Sequence, residues 1–350
     1  MQPENLNKHF DALSAPRIGA YRNYFGQQLT DEQVFGCYQW NESVSHCFFK
    51  VITLVEIVMR NKMHHSLSGH YHSTAKHIVA DVSRRSWQYQ PYSTIGSVNS
   101  CNWYHAIDPV AGQGILVSKS LSKIHSRTHR RRQGNLTVPL NRQRRPSPDD
   151  VVSSLSFGFW SSLVSKCPTV DWATVLVSAF PQHRASKSSQ WHSDIERAKL
   201  SNRLDFVRDF RNRIAHHEPI WKFKELYSES PKVHNGRVDR SIPRDILSGP
   251  TTNSTDSIRR LRNVYKRCTE LLKWVSKDIY DDLMKSSVHK HMLWLCSDAG
   301  LEAHINRGEL MPTSMKASRF KRELTSILKS RKMIYLYHGG RNVMMTHPIY

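Results

Sequence analysis

The chain has 350 residues, enough to bury a large core, and its 51 Lys and Arg against 29 Asp and Glu give a formal net charge of +22. Such an excess of cations favours a polyanionic partner and says nothing about the fold. No apolar run reaches the roughly 18 residues of a membrane-spanning helix, so nucleic acid is favoured over a membrane.

The cysteines and the first residues predict a cytoplasmic protein. Six cysteines occur at irregular positions without a Cys-x-x-Cys pair, which argues against a structural zinc site or a thiol-redox motif. Residues 1–5 are polar, with no apolar signal-peptide core behind them. Glycine-rich phosphate loops, dinucleotide fingerprints and the common zinc and serine hydrolase motifs are also missing from the sequence. We expect neither a cofactor nor a metal.

Residues 1–80 are predicted to form the first helices of a bundle. Two short helices are expected over residues 5–14 and 17–25, separated near Pro16. Two long helices should follow between Asp31 and His65, because apolar residues recur there every three or four positions. These residues are Val34, Cys37, Tyr38, Phe48, Ile52, Val55 and Met59.

The second of these long helices carries a polar pattern. Glu56, Arg60 and His64 are four residues apart and share one face. This face is either structural, with a Glu56–Arg60 pair contributing about 0.2–0.5 kcal/mol, or a functional second motif. The functional interpretation rests on Arg60, Asn61 and His65, whose Arg-Asn-x-x-x-His spacing recurs at residues 211–216. Two such elements could build one site within a single chain.

Residues 81–148 change in composition and are predicted to be a loop-rich basic insertion. No acidic residue occurs between Asp108 and Asp149. Cations without a counter-charge repel one another unless a polyanion lies across them, so we expect this run to bind the phosphates of RNA. A solvated linker is the alternative. The cations are Lys119, Lys123, Arg127, Arg130, Arg131, Arg132, Arg142, Arg144 and Arg145.

Residues 149–284 return to helical periodicity and contain the central motif of the chain. Leu200, Leu204, Val207 and Ile214 recur at helical spacing, and Pro219 disfavours helical geometry at the residue before it. An amphipathic helix should therefore end near His217. Residues 285–350 are predicted to be an extension with one or two helices and a strand or peripheral segment at 333–337, to which we assign no chemistry.

Polar side chains crowd the end of this helix. Asn212 and His216 share a face, whereas Arg211 falls in the apolar stripe, so it is either a partnered buried charge or the wall of a cleft. A metal site made of His216, His217 and Glu218 is disfavoured, because neighbouring residues on a helix point about 100° apart. We expect Glu218 to anchor an arginine or to orient a histidine.

The run Arg211-Asn212-Arg213-Ile214-Ala215-His216-His217-Glu218-Pro219 resembles the RX4-6H signature of the HEPN superfamily and, more narrowly, the Abi-like (abortive infection) proteins within it. Four further elements resemble the same family in the same order. They are residues 13–18 with Tyr21, residues 37–41 (Cys-Tyr-Gln-Trp-Asn), residues 54–61 (Leu-Val-Glu-Ile-Val-Met-Arg-Asn) and residues 156–160 (Ser-Phe-Gly-Phe-Trp).

The resemblance implies an all-α, HEPN-like helical bundle and a metal-independent endoribonuclease toxin of bacterial phage defence, in an abortive-infection or toxin-antitoxin system. It implies a homodimer, RNA as substrate, and an antitoxin that in some systems is a small RNA. By resemblance, Arg211 would clamp phosphate, Asn212 would orient a partner and His216 would be the acid/base residue. Glu56, His217 and Glu218 would support them.

Two other interpretations remain open on the sequence. In the first, the chain is a non-catalytic RNA-binding protein in which Arg211 and His216 only grip phosphate. In the second, the two residues form a hydrogen-bonded pair inside the bundle and have a purely structural role. Only the pairing of Arg211 with His216 favours the enzyme, because the basic composition suits both RNA-dependent functions equally well.

Overall fold

The computed structural model describes residues 5–74, 96–107, 130–133, 136–139, 147–167, 170–306, 313–330 and 334–346. Helices dominate, and the strands in these ranges form only pairings of two or three, which confirms the predicted all-α class. The helices are α1 (Leu6–Leu13), α2 (Ala15–Phe25), α3 (Asp31–Thr74), α4 (Tyr104–Ile107), α5 (Pro148–Ser154), α6 (Phe157–Lys166), α7 (Trp172–Ala179), α8 (Ser188–Trp191), α9 (Asp194–Ala215), α10 (Ser254–Val275), α11 (Lys277–Lys285), α12 (Ser287–Leu295), α13 (Asp298–Ile305) and α14 (Ala317–Ser330). None of the helices described is both long and apolar enough to cross a membrane.

Helix α3 is a single helix of 44 residues. The prediction of two helices between Asp31 and His65 is therefore wrong. No proline interrupts the segment, and Thr30 and Gln33 form a reciprocal cap at its start: each backbone N–H donates to the side chain of the other, at 3.0 and 3.3 Å. With one start signal and no stop signal, the apolar periodicity continues through the whole segment.

The main core forms around α3. Its buried face packs against α2, α7, α9, α10, α12 and α13. Helix α13 approaches closely because Gly36 has no side chain: a Cβ built there would lie 2.1 Å from the carbonyl oxygen of His304. The core thus continues beyond residue 285, where the C-terminal extension was expected to begin.

The strands lie in peripheral segments. β1 (Gly96–Ser97) pairs with β2 (Ser100–Cys101), and β3 (Arg130–Gln133) with β4 (Leu136–Pro139). Residues 222–252 contain two antiparallel pairs, β5 (Leu226–Tyr227) with β8 (Ile246–Ser248) and β6 (Lys232–His234) with β7 (Arg237–Asp239). In the C-terminal segment β10 (Ile334–His338) lies between β9 (Thr313–Lys316) and β11 (Arg341–Thr346), and with α14 it has a small apolar cluster of its own.

Candidate functional site

Helix α9 ends where the sequence predicted. Its last residue is Ala215, and His216 is the C-cap, with its backbone N–H donating to the carbonyl oxygen of Asn212 at 2.9 Å. His217 then adopts the left-handed conformation, with φ of 53°, and the N–H of Glu218 donates to the carbonyl oxygen of Arg213. This reversal satisfies carbonyl groups at the end of the helix and directs the chain away from its axis.

The side chain of Arg213 stabilises this reversal through contacts with the residues that follow it. One of its terminal nitrogens donates to the carbonyl oxygens of Pro219 at 2.6 Å and Lys222 at 2.8 Å, and its Nε lies 3.3 Å from a carboxylate oxygen of Glu218. Burial lowers the pKa of Arg213, and Glu218 opposes that change. Glu218 therefore anchors an arginine, which is one of the two roles predicted for it.

Two residues from distant parts of the sequence also hold this turn in place. The guanidinium of Arg17, on α2, donates to the carbonyl oxygen of His217. The backbone N–H of Ile220 donates to Oδ1 of the buried Asn41, on α3, at 2.9 Å. Both residues belong to elements quoted for the family resemblance, but neither was assigned a role from the sequence.

The three central side chains of the motif are, by contrast, unpaired. Arg211 and Asn212 are half-buried and His216 is exposed, and none of their side chains makes a hydrogen bond or an ion pair with the described residues. Arg211 is therefore not a partnered buried charge, and it does not form an interior pair with His216.

One turn earlier on α9, the arginine is fully occupied. Arg208 lies 2.6 Å from Asp205 and 2.8 Å from Asp209. Carboxylates are thus available on this helix, yet Arg211 forms no ion pair with any residue that the structure describes. A fixed guanidinium fork, an amide and an imidazole at neighbouring positions can bind phosphate oxygens and transfer a proton near neutral pH.

The second Arg-Asn-x-x-x-His element is divided between the core and the surface. Arg60 reaches the carbonyl oxygen of Ser153 at 3.4 Å and forms no ion pair with Glu56, so the proposed i,i+4 pair is not formed. Asn61 and His65, the counterparts of Asn212 and His216, are exposed. They line a shallow pocket against the start of α11.

His64 is an interior residue. It is 2% exposed, its Nδ1 accepts a hydrogen bond from the indole N–H of Trp103 at 2.7 Å, and its Nε2 lies 3.0 Å from Oγ of Ser100. Burial lowers the pKa of His64 to about 4, although Asp149 opposes that change. A neutral imidazole with a hydrogen-bond partner at each nitrogen has a structural role in the core, which agrees with the structural interpretation for His64.

The structure does not bring the two elements together in one chain. Phe210, next to Arg211, packs on Phe48 with ring centroids 4.7 Å apart. Arg60 lies three helical turns further along α3, about 18 Å at 1.5 Å per residue, and His65 lies further still. A composite site built from both elements of one chain is therefore not what this fold provides.

The RNA-binding residues predicted in the insertion fall mostly outside the described ranges. This applies to Lys119, Lys123, Arg127, Arg142, Arg144 and Arg145. Of Arg130, Arg131 and Arg132 only the backbone is described, as strand β3. Among the residues that are described, no three His, Cys, Asp or Glu side chains form a group that could hold a metal ion, and all six cysteines are buried and unbridged.

Comparison with models of protein families shows which family the chain is similar to. A family model described as Abi-like protein matches residues 6–222, which include α1 to α3, the insertion and the whole central motif. No curated protein and no solved structure matches the chain.

Proposed function

The chain belongs to the Abi-like protein family, and we propose that it is a metal-independent endoribonuclease of the HEPN RX4-6H type with Arg211, Asn212 and His216 as its catalytic residues. Membership of this family implies abortive-infection defence against phage. One observation carries the finer proposal: the turn after α9 is held by Arg213, Arg17 and Asn41, while the side chains of Arg211, Asn212 and His216 have no bonded partner in the described part of the chain.

Unpaired polar groups on a braced scaffold suit a ligand-binding site. A partly buried cation and amide without partners cost folding free energy unless a ligand satisfies them. The bracing contacts keep the end of α9 from rearranging when a ligand is absent, so the groups are held in advance where the ligand binds. A purely structural pair would instead be buried and bonded to each other.

RNA supplies its own nucleophile for this site. A base takes the proton of the 2'-hydroxyl, the 2'-oxygen attacks phosphorus, and the 5'-oxygen leaves with a proton from an acid, which gives a 2',3'-cyclic phosphate and a free 5'-hydroxyl. Arg211 neutralises charge on the phosphate oxygens, which arginine can do without losing its proton. Asn212 orients the phosphate or His216, and His216 is one of the two proton-transfer groups.

The second proton-transfer group comes from a second copy of the chain. One central motif offers one histidine at the position of His216, and the Arg60 element lies too far along α3 to complete the same site. A homodimer that brings together two copies of the end of α9, or the end of α9 and the exposed His65, supplies the missing imidazole. This proposal predicts that mixing two inactive variants with complementary defects restores part of the cleavage activity.

The test is cleavage of labelled single-stranded RNA in excess EDTA. We expect the wild type to produce 2',3'-cyclic phosphate ends and His216→Ala to be about 10²–10⁴-fold slower, with an unchanged thermal melt. Arg211→Lys keeps the charge but loses the fork, and should bind RNA yet cut it slowly. His234→Ala, at an exposed histidine of the β6–β7 turn, is the matched control and should remain active.

The outcome also separates the enzyme from the binding protein. If the wild type and His216→Ala bind RNA equally and neither cuts it, the chain is a non-catalytic RNA-binding protein. If His216→Ala melts at a clearly lower temperature, the histidine has a structural role after all.

A further inference from the structure

A second feature of the described residues is a basic cleft between α10 and the segment around β8. It has a volume of about 710 Å³, and five of its lining side chains are cationic. These are Arg203, Arg259, Arg260, Lys266 and Arg267, whereas Asp256 and Glu270 are the lining acids. None of the lining residues belongs to the basic run of residues 119–145.

Three of the five cations are neutralised by carboxylates. Arg203 is paired with Glu229 and, at 3.2 Å, with Glu270. Arg267 lies 3.6 Å from the same Glu229. Arg259 is paired with Asp256 at 2.7 Å. The acids of the cleft are therefore already engaged.

Arg260 and Lys266 are the two cations left over. Arg260 is only 6% exposed, yet its bonded partners are neutral oxygens: the carbonyl of Gly249 at 2.8 Å, the carbonyl of Lys224 at 3.4 Å and the hydroxyl of Ser248. Three acceptors leave part of its five-donor fork free. The Lys266 side chain is exposed and has no hydrogen bond or ion pair with any described residue.

A buried cation without a carboxylate bonded to it is costly, because neutral acceptors offset only part of its lost hydration. Burial lowers the pKa of Arg260, the neighbouring Arg267 and Arg259 lower it further, and Asp256 opposes that change in part. An anion bound in the cleft removes this cost. Since a bidentate arginine fork matches phosphate geometry, phosphate is the anion that fits best.

The cleft adjoins the turn after α9, which Arg213 braces, through one aromatic ring. The guanidinium carbons of Arg260 and of Arg213 each lie 5.5 Å from the centre of the Phe223 ring. They are therefore within about 11 Å of each other, twice the ring distance.

We propose that this cleft binds a backbone phosphate of the RNA whose scissile bond lies at Arg211, Asn212 and His216, with Arg260 and Lys266 as the phosphate-contacting residues. The identity of the strand rests on the proposed function; the phosphate site itself does not. We expect this site to bind RNAs of different sequence equally well, because contacts with the phosphate backbone position the strand but do not distinguish one base from another. It gives the enzyme a second contact with the strand, away from the scissile bond.

The test measures binding without cleavage. A 20-nucleotide single-stranded RNA carrying 2'-O-methyl groups lacks the nucleophile, so its affinity for the wild-type protein can be followed by fluorescence anisotropy from 0.05 to 0.3 M salt. Lys266→Gln is the main variant, because this exposed lysine can be replaced without disturbing the core. Arg260→Gln is the second variant, and its thermal melt must be recorded. Lys290→Gln, at another exposed and unpaired lysine on α12, is the matched control.

Loss of one phosphate contact on a single strand lowers the slope of log affinity against log salt by about 0.7. This corresponds to about fourfold weaker binding at 0.15 M salt and about eightfold at 0.05 M salt. We expect this from Lys266→Gln, a loss at least as large from Arg260→Gln, and no change from Lys290→Gln. The loss should be equal for RNAs of different sequence.

The proposal is overturned if Lys266→Gln matches the wild type in both affinity and slope. It is also overturned if Lys290→Gln weakens binding equally, because RNA would then be attracted by the positive charge of the protein as a whole. A wild type that does not bind the 2'-O-methyl RNA overturns it as well. The two proposals fail separately. Cleavage that is lost in His216→Ala but unaffected by the cleft variants refutes this site alone, whereas slope changes without any cleavage of natural RNA refute the enzyme alone.

Discussion

Replacement of His64 by alanine is the sharpest test of how the two Arg-Asn-x-x-x-His elements differ. In the wild type the imidazole fills a buried position and accepts the Trp103 indole N–H at 2.7 Å. Alanine leaves that donor buried without a partner, which costs about 1–3 kcal/mol. The cavity adds about 2 kcal/mol. The hydroxyl of Ser100 keeps its bond to Asp149 at 2.8 Å and adds little.

The expected loss is therefore about 3–5 kcal/mol in the free energy of unfolding, measured by urea denaturation. His64→Asn should recover about half of it, because an amide oxygen near the position of Nδ1 can still accept the Trp103 N–H. His65→Ala, at the exposed neighbour, is the matched control and should stay within about 0.5 kcal/mol of the wild type.

Cleavage measured at a temperature where every variant is folded completes this test. We expect folded His64→Ala to cleave RNA as fast as the wild type. A His64→Ala protein that unfolds like the wild type but no longer cleaves RNA would refute our reasoning and make His64 a functional residue. Loss of cleavage in His65→Ala without loss of stability would instead make the exposed half of the second element part of a dimeric site.

The remaining predictions concern stability. Burial lowers the pKa of His64 and of His183 to about 4, below the ordinary value near 6.5, so the unfolded chain binds these protons first. Stability should be full above about pH 6.5 and fall by about 2–3 kcal/mol per histidine towards pH 4 in urea titrations. Arg203→Ala removes the cation paired with Glu270 and leaves Glu229 with Arg267 alone, at 3.6 Å, and should cost about 1–3 kcal/mol. Gly36→Ala forces a Cβ against the His304 carbonyl oxygen and should cost about 1–3 kcal/mol in thermal and urea melts.

The two substitutions have controls within the chain. Arg259→Ala removes an arginine whose side chain is 74% exposed and should change stability by less than about 0.5 kcal/mol. Gly19→Ala meets no atom within 4 Å and should stabilise α2 by about 0.5–1 kcal/mol. A flat stability profile between pH 6.5 and 4 would contradict the account of the two histidines, and equal effects at Gly36 and Gly19 would contradict the close approach of α13.

Much of the local structure could be predicted from the sequence. The start of α3 at Asp31, the end of α9 just before Pro219 and the helical character of the whole are encoded in short-range signals: caps, apolar periodicity and proline. The family, too, was apparent from short runs of residues, and the match over residues 6–222 confirms it. The wrong prediction that α3 is two helices also concerned short-range signals, since no proline interrupts the segment.

What the sequence alone determined is which residue types occupy the end of α9; what the tertiary structure decided is which of them are free. The Arg211 and Arg60 elements share a spacing, yet His64 is enclosed by Trp103 and Ser100, while the turn after His216 is held by Asn41 and Arg17 from far along the chain. The same is true of Arg260, which lacks a carboxylate because those nearby are engaged elsewhere. Burial and pairing depend on contacts between distant segments, and those contacts exist only once the core around α3 has formed.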